Sequence, residues 1–127
     1  MQKFILISGC LFAFLAVAIG AFTAHSLKDF LEETQRLPTF ETAVKYHFYH
    51  SFALLFVGLL QFQFPKNKKL NQAGILFFAG IIVFSGSLYT LCLTGITWLG
   101  AVTPFGGVGF ILGWALCALA IWKEKLE

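Results

Sequence analysis

The sequence predicts an all-α membrane protein: a four-transmembrane-helix up-down bundle with a short amphipathic surface helix after the first span. Two observations carry that expectation. Of the 127 residues, 58% are hydrophobic and only 12% are charged, about half the charged share of a soluble domain. The apolar residues gather into four runs, at about 4–24, 46–64, 72–93 and 105–122. At about 1.5 Å per residue, each is long enough to cross a hydrocarbon layer of roughly 30 Å. The segments between them are short, so residues 1–127 make a single transmembrane domain.

The first run, Phe4 to Ala24, contains no charge. Lys3 before it and Ala-Phe-Thr-Ala at its end are signal-peptide features. The run nevertheless outlasts an apolar signal core of roughly 7–15 residues, and it reads as a retained anchor. Ser26 to Pro38 is polar and amphipathic, with Leu27, Phe30 and Leu31 at helical spacing among Lys28, Asp29, Glu32 and Glu33. That pattern suits a short helix on the membrane surface, with Ser26 and Asp29 as its N-cap pair. Pro38 is expected to stop this helix and Thr39 to cap the next. The second span opens in an amphipathic turn, Phe40 to Lys45, and ends at Pro65. A loop of Lys66, Asn67, Lys68 and Lys69 leads to the third span. Gly95 to Thr103 is uncharged and carries Trp98, an interfacial anchor by its chemistry. Pro104 is placed for the first turn of the fourth span.

Orientation follows from basic residues. With four spans, Lys3, Lys66, Lys68, Lys69, Lys123 and Lys125 share one side, against Lys28, Arg36 and Lys45 on the other. The richer side, with both termini, is expected in the cytoplasm. These lysines at membrane edges account for the net charge of +3. They form no basic face, so nucleic acid is not an expected partner.

In lipid, helices associate through close contact of small residues. The fourth span carries Gly106, Gly109, Gly113, Cys117 and Ala120 on one stripe, and the first carries Gly9, Ala13, Ala16, Gly20 and Ala24. The second shows Ala43, His47, His50, Gly58 and Gln61 on one face, interrupted by Leu54. Phe48, Phe52, Leu55, Phe56 and Leu59 lie opposite, so the histidines are expected to face protein. Cys10, Cys92 and Cys117 fall inside apolar runs without a C-x-x-C and read as small buried hydrophobes.

The topology gathers the polar residues in the outer half of the bilayer: His25, then Tyr46, His47, Tyr49 and His50, then Ser85, Ser87, Tyr89 and Thr90, then Thr103. Ionisable residues in a membrane are costly, which makes such a cluster a site hypothesis. A ligand pocket would use His25, His50, Tyr46, Ser87 and Tyr89, taking a quinone or a lipid headgroup. A metal would use His25, His47 and His50, with Glu41 as a possible fourth ligand. A haem needs axial ligands from opposite sides, which allows His25 with His50 but not His47 with His50. The plainest alternative is that these groups hydrogen-bond one another and lock the bundle. Catalytic patterns such as G-x-S-x-G and H-E-x-x-H are absent, and no acidic residue lies within a span.

At these residues the chain resembles a known family. Gly20-Ala21-Phe22-Thr23-Ala24-His25, Tyr46-x-x-x-His50, Phe84-Ser85-Gly86-Ser87-Leu88-Tyr89 and Thr103-Pro104-x-Gly106-Gly107 are similar to the transmembrane protein 256 family, also described as domain-of-unknown-function family 423. The resemblance implies a small four-helix protein, mostly of the bacterial inner membrane, and carries over no catalytic residue. The family pattern includes His25 and His50 without requiring His47, which makes a two-histidine arrangement the sharper form of the site. The functional expectation is a non-enzymatic assembly or accessory subunit that packs against itself or a larger membrane complex, with no cofactor. The alternatives are metal, haem, quinone or lipid binding at the outer cluster, and a transport pore formed by an oligomer.

Overall fold

A computed structural model describes residues 1–124. Lys125, counted in the orientation argument, lies outside the described residues. Among those residues every regular element is helical, as a chain in lipid requires when its backbone must be satisfied within each segment. The order is α1 (Gln2–Ala24), α2 (Lys28–Glu33) and α3 (Leu37–Gln63). A rod from Lys68 to Thr94 follows, built of α4 (Lys68–Gly80), a π-helical segment (Ile81–Ser85) and α5 (Gly86–Thr94). A 3₁₀ turn (Thr97–Ala101) leads into α6 (Thr103–Lys123).

Three stretches, Gln2–Ala24, Lys68–Thr94 and Thr97–Lys123, are long and apolar enough to cross a membrane. The fourth expected span, α3, is 27 residues long but is not among them. Tyr46, His47, Tyr49, His50, Gln61 and Gln63 dilute its apolar character. This helix packs on α1, α2, α4, the π segment and α5. Its polar side chains can therefore be sheltered by protein, and His47, His50, Ser51 and Gln61 are all buried.

Close glycine contacts set the helix registers. A Cβ at Gly9 would lie 2.8 Å from Leu55, and one at Gly58 would lie 2.5 Å from Leu6, so α1 and α3 run in opposite directions. The same holds for α4 and α6. Gly80 faces Phe110, and Gly113 faces the Phe77 ring at 2.6 Å. The glycine stripe of α6 is thus spent on α4 and the π segment, and Gly9 of α1 is spent on α3. The core divides accordingly. One cluster, containing Ile5, Leu54, Val57, Leu70, Phe77 and Phe110, fills the space between the long helices. A smaller one, Leu31, Phe40 and Cys92, sits under the α2–α3 corner.

The helix ends differ from expectation at that corner. The N-cap of α2 is Leu27, with no side-chain cap, so Ser26 and Asp29 do not form a capping pair. Pro38 does not stop α2, which ends at Glu33; it lies in the first turn of α3, where a missing N–H costs nothing. Thr39 is inside α3 rather than capping it. What terminates α2 is a pair of backbone bonds, Gln35 N–H to Glu32 O at 3.0 Å and Arg36 N–H to Leu31 O at 2.8 Å. Gln35 takes the left-handed conformation (φ 56°) that this Schellman ending demands. Arg36 then donates through Nη1 to the Cys92 carbonyl at 3.3 Å, tying the corner to the end of α5. Elsewhere Pro104 enters the first turn of α6 as expected. The loop expected over Lys66 to Lys69 is shorter than that, because Asn67 accepts from Lys69 N–H at 3.0 Å as the cap of α4 and the helix starts at Lys68; left-handed Gly95 closes α5.

Candidate functional site

The polar cluster forms where α3, the π segment, α5 and the first turns of α6 meet. His47 and His50 are three residues apart in α3, so both reach the buried side of that helix. Their surroundings differ. The His50 ring lies flat on Phe110, with centroids 3.5 Å apart and an interplanar angle of 7°. Tyr46 stacks beside it at 6.0 Å. Trp114 donates its indole N–H to His50 Nε2 at 3.2 Å, and His50 Nδ1 lies 2.8 Å from the Tyr46 carbonyl. An indole N–H can only donate and a carbonyl can only accept. His50 is therefore the neutral tautomer protonated on Nδ1, and its Nε2 lone pair is already taken.

His47 keeps one ring nitrogen in reserve. Its Nδ1 lies 3.0 Å from the Tyr89 hydroxyl, and Phe12 approaches the ring edge-on at 5.6 Å. Its Nε2 is buried and has no hydrogen-bond partner among the described residues. Ser87 shares a 2.7 Å hydrogen bond with Thr103 and also donates to the Phe84 carbonyl at 3.0 Å. Ser85, inside the π segment, donates to the Ala43 carbonyl at 2.8 Å. These hydroxyls cross between helices, the arrangement that stabilises helix pairs in lipid.

Of the five residues expected to line a ligand pocket, Tyr46 and His50 stand together. Tyr89 reaches His47, and Ser87 turns to Thr103. His25 stands apart. It caps the end of α1, is exposed, and lines a shallow depression with Ala18, Ala21, Phe22 and Ser26. The α1–α3 register explains this. Gly20 faces Val44 and Gly9 faces Leu55, which puts His25 level with the start of α3. His50 lies about eleven residues further along, roughly 16 Å at 1.5 Å per residue. The set His25, His47 and His50 is accordingly not assembled: among the described residues no group of three His, Cys, Asp or Glu is placed to hold a metal. The same separation keeps His25 and His50 from flanking one macrocycle.

Sequence reasoning missed Trp114 and Phe110, the two side chains that define the surroundings of His50. A signal existed. Trp favours membrane interfaces, where its N–H finds water, and Trp114 sits mid-span, where that N–H needs an acceptor within the protein.

Comparison with known proteins adds a family. The family described as "Protein of unknown function (DUF423)" matches residues 19–107. The chain is 43% identical over 122 residues to UPF0382 membrane protein YwdK of Bacillus subtilis, covering 96% of this chain and 98% of that one. UPF0382 membrane proteins of Staphylococcus aureus and Staphylococcus epidermidis are each 46% identical with the same coverage. No solved structure matches.

Proposed function

The chain belongs to the DUF423 family of membrane proteins, and from that premise we propose that it is a non-enzymatic subunit that assembles with itself or with a larger complex in the bacterial cell membrane. In this reading α3 is a fourth span, the bundle runs up and down, and both termini are cytoplasmic. The burial of α3's polar groups supports the first point, and the lysine distribution supports the last.

The observation that carries the assembly reading is the layout of the two flanking helices. α1 packs chiefly on α3, and α6 chiefly on α4 and the π segment. Each leaves an outward face, with Leu11, Phe14 and Val17 on α1 and Ile111, Leu112 and Leu119 on α6, and on α6 that face includes the small residues Ala115 and Ala118, where a second helix can approach closely. The polar cluster, by contrast, spends most of its hydrogen-bonding capacity on itself, which favours a structural role for it over a catalytic one.

Cys10 is exposed on the free face of α1, whereas Cys92 and Cys117 are buried. Mild oxidation in native membranes, followed by non-reducing electrophoresis, should trap a covalent product through Cys10 that Cys10→Ser abolishes. Chemical cross-linking on the same membranes covers contacts that do not bring Cys10 to a thiol. A chain that stays monomeric and unlinked to any other protein under both treatments rules out the assembly reading.

A further inference from the structure

A groove of about 430 Å³ opens where α1 ends and α3 begins, away from the histidine cluster. Gly20, Leu37 and Val44 line its apolar part, and Lys28, Glu41 and Lys45 its charged part. The wall is uncrowded at Gly20, where even a Cβ would meet only Val44, at 3.6 Å. Glu41 and Lys45 are one turn apart on α3, a spacing at which opposite charges pair on a helix. They do not pair. Among the described residues the one ion pair is Lys28 with Glu32, at 3.8 Å and with both side chains about half exposed. The groove therefore presents a carboxylate and an ammonium that no described residue neutralises, with a second, loosely held ammonium beside them.

Its position gives these charges meaning. The apolar run of α1 ends at Ala24 and the polar corner begins at His25, so the groove lies at the level where hydrocarbon gives way to headgroups. Molecules that offer an anionic phosphate, a cationic group and an apolar chain at that level are phospholipids. We propose that this groove binds one phospholipid whose headgroup carries a primary ammonium as well as its phosphate. The phosphate sits between Lys28 and Lys45, the ammonium meets Glu41, and the beginning of an acyl chain lies over Gly20, Leu37 and Val44. The inference needs α1 to span the bilayer but is independent of the assembly reading.

The test is native mass spectrometry of protein released from vesicles holding equal amounts of phosphatidylethanolamine, phosphatidylglycerol and phosphatidylcholine. Phosphatidylethanolamine should be retained about fivefold over each of the others, the scale of a partly exposed charge contact. Glu41→Gln should erase its advantage over phosphatidylglycerol, while Lys28→Gln with Lys45→Gln should lower retention of all three. Glu33→Gln, outside the groove, is the control and should change nothing. These side chains are exposed, so the variants should fold, which circular dichroism verifies. Retention in the proportions supplied, or an unchanged preference in Glu41→Gln, would overturn the proposal. Release of the lipid by an equal concentration of soluble phosphoethanolamine would overturn its assignment to a lipid.

Discussion

At the scale of single residues, the two histidines show how one helix face can hold two different chemistries. His50 is saturated, with Trp114 on Nε2, Tyr46 on Nδ1 and Phe110 against its face. Replacing Trp114 with Phe keeps most of the ring packing but leaves a buried acceptor without its donor. The expected cost is about 1 kcal/mol, the usual size of a side-chain hydrogen bond between helices in a membrane. Thermal unfolding in detergent measures it, and Trp122→Phe, on a fully outward-facing ring, is the comparison that should show no loss. That His47 and His50 face protein was legible from the apolar residues opposite them. Which partners they meet was not, because spacing along one helix fixes a face and carries no information about register against another. The α1–α3 register is what separates His25 from His50, and it is set by Leu6 and Leu55 seating on Gly58 and Gly9.

At the scale of elements, the glycine stripe of α6 was readable and its purpose is now specific. A Cβ at Gly106 would collide with the backbone nitrogen and Cα of Phe84, which cannot rotate away. Gly106→Ala should therefore cost about 1–3 kcal/mol or prevent folding outright, as overpacking does in rigid surroundings. Gly86, also helical, has nothing within 4 Å of its missing Cβ. Gly86→Ala should raise stability by about 0.5–1 kcal/mol, because alanine loses less backbone freedom on folding. Opposite shifts in melting temperature for the two variants are the expected result. The corner after α1 was less legible. Ser26 and Asp29 have the residue types of a cap, yet the turn is closed by backbone bonds around left-handed Gln35, a conformation that composition does not announce. Pro38 was read as an ending and serves as a beginning, since proline suits either place and only the position of the chain reversal distinguishes them.

At the scale of the whole molecule, the all-helical membrane architecture was legible because apolar run length is a direct physical requirement of the bilayer. The least apolar run, α3, is the one whose hydropathy alone does not mark it as a span. Its polar side chains are buried against neighbours that a single helix's sequence does not reveal, Tyr89 and Asn71 on the Lys68–Thr94 rod and Trp114 on α6 among them. Orientation is open to a direct measurement. Lys66 is exposed between α3 and α4, and changing it to Cys spares the Asn67 cap. A membrane-impermeant thiol reagent added to intact cells should leave that cysteine unlabelled and should label it once the membrane is opened. Labelling in intact cells would invert the orientation.

The π segment between α4 and α5 has a consequence for how this chain tolerates a change of length. A π turn holds one more residue than the α-helical path it replaces. Losing a single residue within Ile81–Ser85 lets the segment tighten to an α-helical turn, with Phe77 still on α6 and Cys92 still beneath the Arg36 corner. Losing one in the middle of α4 or α5 swings one end of the rod by about 100° relative to the other, and one of those contacts is forfeited. Lys68 to Thr94 thus has a single place where the chain can shorten by a residue without losing phase, and it lies beside the histidines.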